Sequence, residues 1–96
     1  MKNVVSRFRD VDEFGRSLGL SRVEIELIRQ KKKLIEKLKA TRTKKKISQA
    51  KVAALVGSKQ PAIARMESGM VSEVSFDFLI KVALVLGVPF TVRQAA

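Results

Sequence analysis

The sequence predicts an all-α domain: a small helical bundle with a helical N-terminal extension and one short C-terminal strand. Apolar residues recur at helical spacing along most of the 96-residue chain. The alternation typical of a strand appears only near the end, in VPFTVR at residues 88–93. A chain of this length forms one core of modest size. We therefore expect a single bundle at 21–96, preceded by an arm and a short helix at 1–20.

The composition favours a partner that carries many negative charges. Twenty Lys and Arg stand against nine Asp and Glu, which gives a net charge of +11 at pH 7 and suggests nucleic acid or an anionic membrane. No apolar run approaches the roughly 20 residues that span a bilayer. With five Phe and no Trp or Tyr, little aromatic surface is available to stack on unpaired bases, so duplex DNA is favoured over single strands and RNA.

The same composition excludes most catalytic and metal chemistry. Because the chain has no Cys and no His, disulfides, Ser-His and Cys-His nucleophiles and most metal sites are impossible. We find no catalytic constellation, and expect no enzymatic activity, no metal and no other cofactor. The opening MKNVVSRFRD meets charged residues too soon for a secretory signal. We therefore expect a cytoplasmic protein, associated with the prokaryotic nucleoid.

Two capping-box patterns predict the starts of the first helices. Residues 1–9 show no period and are expected to form an arm. Asp10 with Glu13 opens a short helix that Gly19 ends.

The second capping box, Ser21 with Glu24, opens the segment SRVEIELIRQKKKLIEKLKATR. Its pattern allows one helix of about 22 residues or two helices bent around RQKKK. Lys31 interrupts the apolar stripe, which consists of Val23, Leu27, Leu34 and Leu38.

Residues 47–69 predict two short helices joined by a tight turn. Ser48 is a good N-cap, and Gly57 supplies the left-handed residue that ends the first helix. Pro61 is tolerated in the first turn of the second helix, because that turn has no intrahelical partner for the amide hydrogen that proline lacks. The positions expected to face the core are Val52, Leu55, Val56, Ile63 and Met66. Residues 48–67 are therefore predicted to form a helix-turn-helix, followed by a further helix at about 75–86.

This stretch resembles the helix-turn-helix of lambda repressor-like and Cro-like regulators. In that family Ser-Gln opens the first helix, Ala lies inside it, Gly forms the turn and Ile-x-x-[Ile/Leu/Met]-Glu-x-Gly closes the second helix. The segment SFDFLIKVALVLGV is similar to the family's next helix, so the resemblance covers roughly residues 34–88. The matching motif positions are Ser48, Gln49, Ala53, Gly57, Ile63, Met66, Glu67 and Gly69.

The resemblance implies binding of double-stranded DNA through the major groove. In such folds the second helix of the motif meets base edges with its N-terminal residues, while the first helix crosses the backbone. We predict that Lys59, Gln60 and Arg65 read bases, since Gln pairs with adenine and Arg with guanine. The predicted contacts to the DNA backbone are Lys44, Lys45, Lys46, Ser48, Gln49 and Lys51.

Two further features follow from the same resemblance. Glu67 matches a position that pairs with an arginine of the preceding helix, so we predict a structural ion pair with Arg42. Pro61 departs from the family, in which many members have a polar, base-contacting residue at that position.

The helix expected at about 75–86 has more apolar surface than one small core can enclose. The segment that follows it, at about 88–93, would leave backbone hydrogen-bonding groups unpaired unless an antiparallel copy satisfied them. We therefore predict a homodimer in which this strand pairs across a two-fold axis. The predicted dimer contacts are Phe78, Val85, Val88, Phe90 and Val92.

The C-terminal strand in place of a fifth helix, together with the N-terminal helical extension, resembles antitoxins of the HigA and HipB kind. The resemblance implies a type II antitoxin that represses its own operator and binds a cognate toxin protein. Residues 1–30 either contact the toxin or cap the domain. A stand-alone repressor, phage-like or chromosomal, is the alternative. An adaptor that keeps the scaffold without binding DNA is disfavoured by Gln49, Gln60 and Arg65 together with the positive charge.

Overall fold

The computed structural model describes Glu13, Arg16, Ser17, Gly19 and residues 21–92. Residues 21–92 contain four α-helices and one 3₁₀ turn, and no β-strand is formed in this range. The predicted all-α helical class is confirmed. The elements are α1 (Arg22–Lys44), α2 (Gln49–Val56), α3 (Gln60–Glu67), a 3₁₀ turn (Val71–Glu73) and α4 (Phe76–Leu86).

The predicted arm at residues 1–9 and the start of the short helix at Asp10 lie outside the described residues. Of that helix, Glu13, Arg16 and Ser17 are described, and all three are helical. Gly19 has a φ of +79°, and its amide nitrogen lies 2.9 Å from the carbonyl oxygen of Arg16. Gly19 therefore provides the left-handed residue expected at the end of this helix.

Helix α1 is one helix of 23 residues, so the alternative with two helices bent around RQKKK is wrong. The Ser21 hydroxyl accepts a hydrogen bond from the Glu24 amide at 3.1 Å, and the Glu24 carboxylate accepts one from the Ser21 amide at 3.0 Å. The predicted capping box is confirmed.

The C-terminal end of α1 forms a Schellman motif. The Ile47 amide donates to the Arg42 carbonyl at 3.2 Å, and the Lys46 amide donates to the Thr43 carbonyl at 3.0 Å. This geometry requires a left-handed residue, and Lys46 adopts it with a φ of +58°. A lysine therefore occupies a backbone position that glycine fills most easily.

The core lies where α1 packs on α4 and where α2 and α3 close the open side. Each helix contributes residues at the spacing of its own apolar face. The central buried residues are Leu38 from α1, Val52 and Ala53 from α2, Ile63 and Met66 from α3, and Leu79, Val82, Ala83 and Leu86 from α4.

Three residues of the predicted apolar faces are exposed instead. Val23 is 79% exposed and Leu27 is 42% exposed, because the buried face at the start of α1 runs through Ile25, which is fully buried. Leu55 is 53% exposed, because Val52 and Ala53 direct the buried face of α2 to the side away from it.

Two of the lysines donate hydrogen bonds to backbone carbonyl groups of other elements. Lys31, the gap in the α1 stripe, donates from Nζ to the carbonyl oxygens of Val71 at 3.1 Å and Val74 at 2.6 Å. Lys45 donates from Nζ to the carbonyl of Leu86 at 2.7 Å, at the C-terminal end of α4. A cation at that end satisfies an unpaired carbonyl and opposes the negative end of the helix dipole.

The segment after α4 packs on its own chain. Val88 is buried in the core, and its amide donates to the Ala83 carbonyl at 2.9 Å. The ring of Phe90 lies edge-on to Phe76, with 5.7 Å between ring centroids. The strand expected at 88–93 is not formed in the described part, residues 88–92; Arg93 lies outside it. None of the described helices has the length and apolarity needed to cross a lipid bilayer.

Candidate nucleic-acid interface

Helices α2 and α3 form the two arms of a helix-turn-helix. Gly57 ends α2 with a φ of +74°, and the Ser58 amide returns to the Ala53 carbonyl at 2.8 Å. An alanine at residue 57 would meet no neighbouring atom, but its backbone would be strained at this φ. The predicted left-handed turn at Gly57 is confirmed.

The N-terminal ends of α2 and α3 present backbone amides. The Ser48 hydroxyl caps α2 by accepting from the Lys51 amide at 3.0 Å. The preceding amides of the first turn have no intrahelical acceptor, so this end attracts anions such as phosphate. Lys59 occupies the N-cap of α3 without a side-chain cap, and Pro61 lies in the first turn, as expected.

Behind these ends lies an ion pair between α1 and α3. Arg42 donates to both carboxylate oxygens of Glu67, from Nε at 2.5 Å and from Nη2 at 2.9 Å. Its third contact is from Nη1 to the Ile47 carbonyl at 2.8 Å. The side chain of Glu67 is only 4% exposed and that of Arg42 is 17% exposed. This bidentate pair is the structural contact that the resemblance implied for Arg42 and Glu67.

The surroundings of Glu67 keep it ionised. Burial alone would raise the pKa of its carboxyl group, but hydrogen bonds from Arg42 and Gln49, with the positive charges of Arg42 and Lys39, outweigh burial. The pKa of Glu67 therefore lies below its ordinary value of 4.5. The hydrogen bond to Glu67 raises the pKa of Arg42 in turn.

Gln49 continues this contact to the surface. Its Nε2 donates to Glu67 Oε1 at 2.9 Å, and its Oε1 accepts from Gln60 Nε2 at 2.5 Å. Four side chains from three helices thus form one hydrogen-bonded chain, which we call the glutamine relay: Arg42, Glu67, Gln49 and Gln60.

The relay leaves Gln60 able to read a base. A primary amide carries two N–H donors and an acceptor oxygen. Only one donor of Gln60 is used by Gln49, so the second N–H and the oxygen remain for the bidentate contact that adenine offers in the major groove. Gln49 is half-buried, and it keeps one N–H for an outside acceptor.

The remaining outward residues of α3 differ in chemistry. Pro61 is exposed and Ala64 is half-buried, and neither offers a side-chain hydrogen bond. Arg65 is about half exposed, and its Nε lies 3.9 Å from a carboxylate oxygen of Glu73, which is also about half exposed. The exposed surface of α3 therefore carries polar groups at Gln60 and Arg65, separated by small apolar residues.

The lysines predicted to contact the DNA backbone differ in whether they are bonded within the fold. Lys44, Lys46 and Lys51 are exposed around the start of α2, close to Ser48. The Lys45 ammonium is instead bonded to the carbonyl at the end of α4. Lys45 therefore stabilises the fold at the C-terminal end of α4.

The residues predicted to form the dimer contacts differ in how far they are exposed. Phe78 and Val85 are half-buried and Val92 is 71% exposed, whereas Val88 is a core residue and Phe90 packs on Phe76. Sequence reasoning undervalued Leu84, which is 77% exposed on α4. The sequence indicated an excess of apolar surface on this helix but not that Leu84 would be its most exposed residue, because the exposure of an apolar residue depends on which helix face the core takes.

Glu73 was also missed as a neighbour of the interface. It lies in the 3₁₀ turn, and only the path of the chain after α3 brings it to Arg65. No spacing rule in the sequence connects residues eight apart across an irregular turn.

The fold and this surface define a class of protein: a helix-turn-helix domain with polar side chains at the start of its second helix and exposed lysines nearby. A scan against protein families agrees: the family model described as Helix-turn-helix matches residues 38–92, more than half of the chain. The chain therefore belongs to this helix-turn-helix family of lambda repressor-like and Cro-like proteins and is a DNA-binding transcriptional regulator. Searches of curated proteins and of solved structures found no match.

Proposed function

We propose that this regulator reads a specific duplex operator with the exposed face of α3 and represses transcription there. The observation that carries the proposal is the glutamine relay. It connects the first residue of α3 to a buried ion pair, which fixes Gln60 relative to the start of α2. A fixed side chain at the N-terminus of this helix suits recognition of a base edge.

In this proposal each exposed group of the motif has one task. Gln60 binds adenine and Arg65 binds guanine, while Ala64 offers a methyl contact to thymine. Lys59 reaches either a base or a phosphate. The backbone is held by the amide end of α2 with Gln49 and by the nearby cations. The proposed backbone set is Lys44, Lys46, Ser48, Gln49 and Lys51.

We also propose that the regulator acts as a homodimer that uses the outward side of α4. Leu84 is exposed there, and the half-buried Phe78 and Val85 lie together on one side of it. Asp77 and Lys81 lie on the same exposed stripe, so the surface offers both charge signs to an antiparallel copy. The segment at 88–92 adds Val92, which is 71% exposed.

The antitoxin role is a further part of the proposal. It is supported by the resemblance to HigA-like and HipB-like antitoxins and by the exposed apolar residues Val23 and Leu27 near the start of α1. A stand-alone repressor without a toxin is the alternative function. Co-expression with the reading frame next to this one distinguishes the two: a stable complex supports the antitoxin role, and separate purification supports the alternative.

Fluorescence anisotropy with the protein's own promoter tests sequence-specific binding. Replacing Gln60 or Arg65 by alanine is expected to lower discrimination between operator and random duplex by about 1 to 3 kcal/mol each. Glu36→Gln, an exposed change on α1, is the control and should leave discrimination unchanged. If both α3 variants keep full discrimination, α3 does not read the operator.

The salt dependence and the shape of the operator test the rest of the assignment. A dimer that neutralises about 8 phosphates gives a slope near −7 for log K against log salt. Its operator should be a pseudo-palindrome with half-sites about 34 Å apart or a near multiple of that distance. A monomeric mass at micromolar concentration for both wild type and Leu84→Glu would contradict the α4 dimer.

A further inference from the structure

A groove runs between α1 and the segment that follows α4. Its floor is apolar, with Leu34 on one side and Phe90 on the other, and its rim carries Lys33 and Lys37. The cavity measures about 180 Å³. An apolar cavity of about 150 Å³ accommodates benzene, so the groove has room for one aromatic or leucine side chain.

The two lysines on the rim are not paired with acidic side chains. They lie four residues apart on the same face of α1, and both are exposed. Neither ammonium has a hydrogen bond or an ion pair in the described part of the chain. Like charges at this spacing destabilise a helix by about 0.2 to 0.5 kcal/mol. The fold does not need this pair, in contrast to Lys31 and Lys45.

The groove lies away from the surface proposed to bind DNA. One flank of α1 faces the end of α3, where Lys32, Ile35 and Lys39 line a separate crevice with Glu67. The groove lies on the other flank of α1, and no residue of α2 or α3 lines it. DNA held at the N-terminal ends of α2 and α3 therefore leaves the rim lysines free.

We propose that this groove binds an acidic segment of another protein, with one apolar side chain inserted between Leu34 and Phe90 and flanking carboxylates on Lys33 and Lys37. The positive charge of Lys33 and Lys37 at the rim favours an acidic segment as the binding partner. A second copy bound here about a two-fold axis would bring its own Lys33 and Lys37 against this pair, so charge complementarity at the rim favours an acidic partner over a second copy. The inference does not depend on DNA binding or on the partner being a toxin.

The test uses the whole chain and a fluorescein-labelled pentapeptide, Glu-Asp-Phe-Glu-Asp, with Glu-Asp-Gly-Glu-Asp as the comparison. We expect saturable binding of the first peptide and amide shift changes in nuclear magnetic resonance spectra at residues 33–37, 90 and 91. The double variant Lys33→Gln/Lys37→Gln should weaken binding about fivefold. Lys32→Gln/Lys39→Gln removes the same charge from the other flank of α1 and should leave binding unchanged.

Three results would overturn the proposal. Equal weakening by both double variants would show attraction to net charge alone. Equal affinity for the phenylalanine and glycine peptides would show that the floor of the groove is not used. Displacement of the peptide by duplex DNA, with a loss of DNA affinity in Lys33→Gln/Lys37→Gln, would assign the lysines to DNA. Because affinity for duplex DNA is measured separately, failure here leaves the DNA-binding proposal standing.

Discussion

Arg65 on α3 lies 3.9 Å from the carboxylate of Glu73, and both side chains are about half exposed. An exposed pair at this distance adds little stability. Its importance is electrostatic, since a negative charge next to a proposed guanine reader opposes both the reader and the phosphates around it.

Glu73→Gln is therefore expected to tighten binding to duplex DNA about threefold, mainly through non-specific contacts. Anisotropy titrations on operator and random duplex measure both affinities, and the thermal unfolding midpoint should not change. Glu36→Gln is the matched control, because it removes the same charge from an exposed site on α1. Equal gains in the two variants would mean that Glu73 acts through net charge and not through Arg65.

The glutamine relay predicts that Gln49 and Gln60 act together. Gln60→Ala should lower operator discrimination by about 1 to 3 kcal/mol in the wild-type background. In the Gln49→Ala background the same change should cost less, because Gln60 is no longer held in place. A double-mutant cycle measured by anisotropy gives the coupling directly. Additive losses would show that the contact between the two amides does not orient the reader.

The lowered pKa of Glu67 predicts an acid-sensitive fold. In the unfolded chain this carboxyl group takes its ordinary pKa of 4.5, and in the folded chain its pKa is lower. The folded state therefore binds fewer protons, so the contribution of Glu67 to stability is complete above pH 4.5 and is lost as the pH falls through the folded pKa. Urea unfolding followed over a pH series measures this decline.

The variant Glu67→Gln isolates that contribution. It is expected to be less stable than wild type at pH 7, by about 3 kcal/mol, because Arg42 is left without its partner carboxylate. Its stability should then change less with pH below 4.5 than that of wild type. Parallel pH profiles for the two proteins would show that other carboxyl groups control acid unfolding.

Replacing Lys46 by glycine is expected to raise the stability of the fold and to lower its affinity for DNA. Its φ of +58° is a left-handed conformation that disfavours side chains, so Lys46→Gly should stabilise the fold by up to about 1 kcal/mol, after allowance for the greater freedom of glycine in the unfolded chain. The same change removes a proposed phosphate contact. In a dimer it should reduce the salt slope by about 2 and weaken all DNA sequences alike.

Lys44→Gly is the comparison for Lys46→Gly, because Lys44 is the last residue of α1 and has no left-handed backbone to relieve. It should weaken DNA binding similarly while lowering stability. A loss of stability in Lys46→Gly would show that its conformation is not strained.

Much of the fold could be predicted because its signals are local. The Ser21 capping box, Gly57 and the buried face of α4 all depend on residues within one or two turns of each other. The resemblance correctly implied the contact between Arg42 and Glu67, which are 25 residues apart. Spacing alone would not have found it.

The errors arise where three-dimensional packing decides. Leu55 and Val23 have the right periodicity, but the buried face of α2 lies to one side of Leu55, and at the start of α1 Ile25 is buried instead of Val23. Val88 and Phe90 alternate as in a strand, yet both find partners in their own chain. Lys45 looks like part of a cationic run because its acceptor, the Leu86 carbonyl, is 41 residues away.

The hydrogen bond between Gln60 and Gln49 also bears on the thermodynamics of DNA recognition. A free glutamine side chain loses up to about 2 kcal/mol of rotamer entropy when it is immobilised. Here the surrounding contacts restrict Gln60 before any DNA arrives. Operator binding therefore begins from a preorganised side chain, and most of this ordering cost belongs to folding of the protein instead of to complex formation.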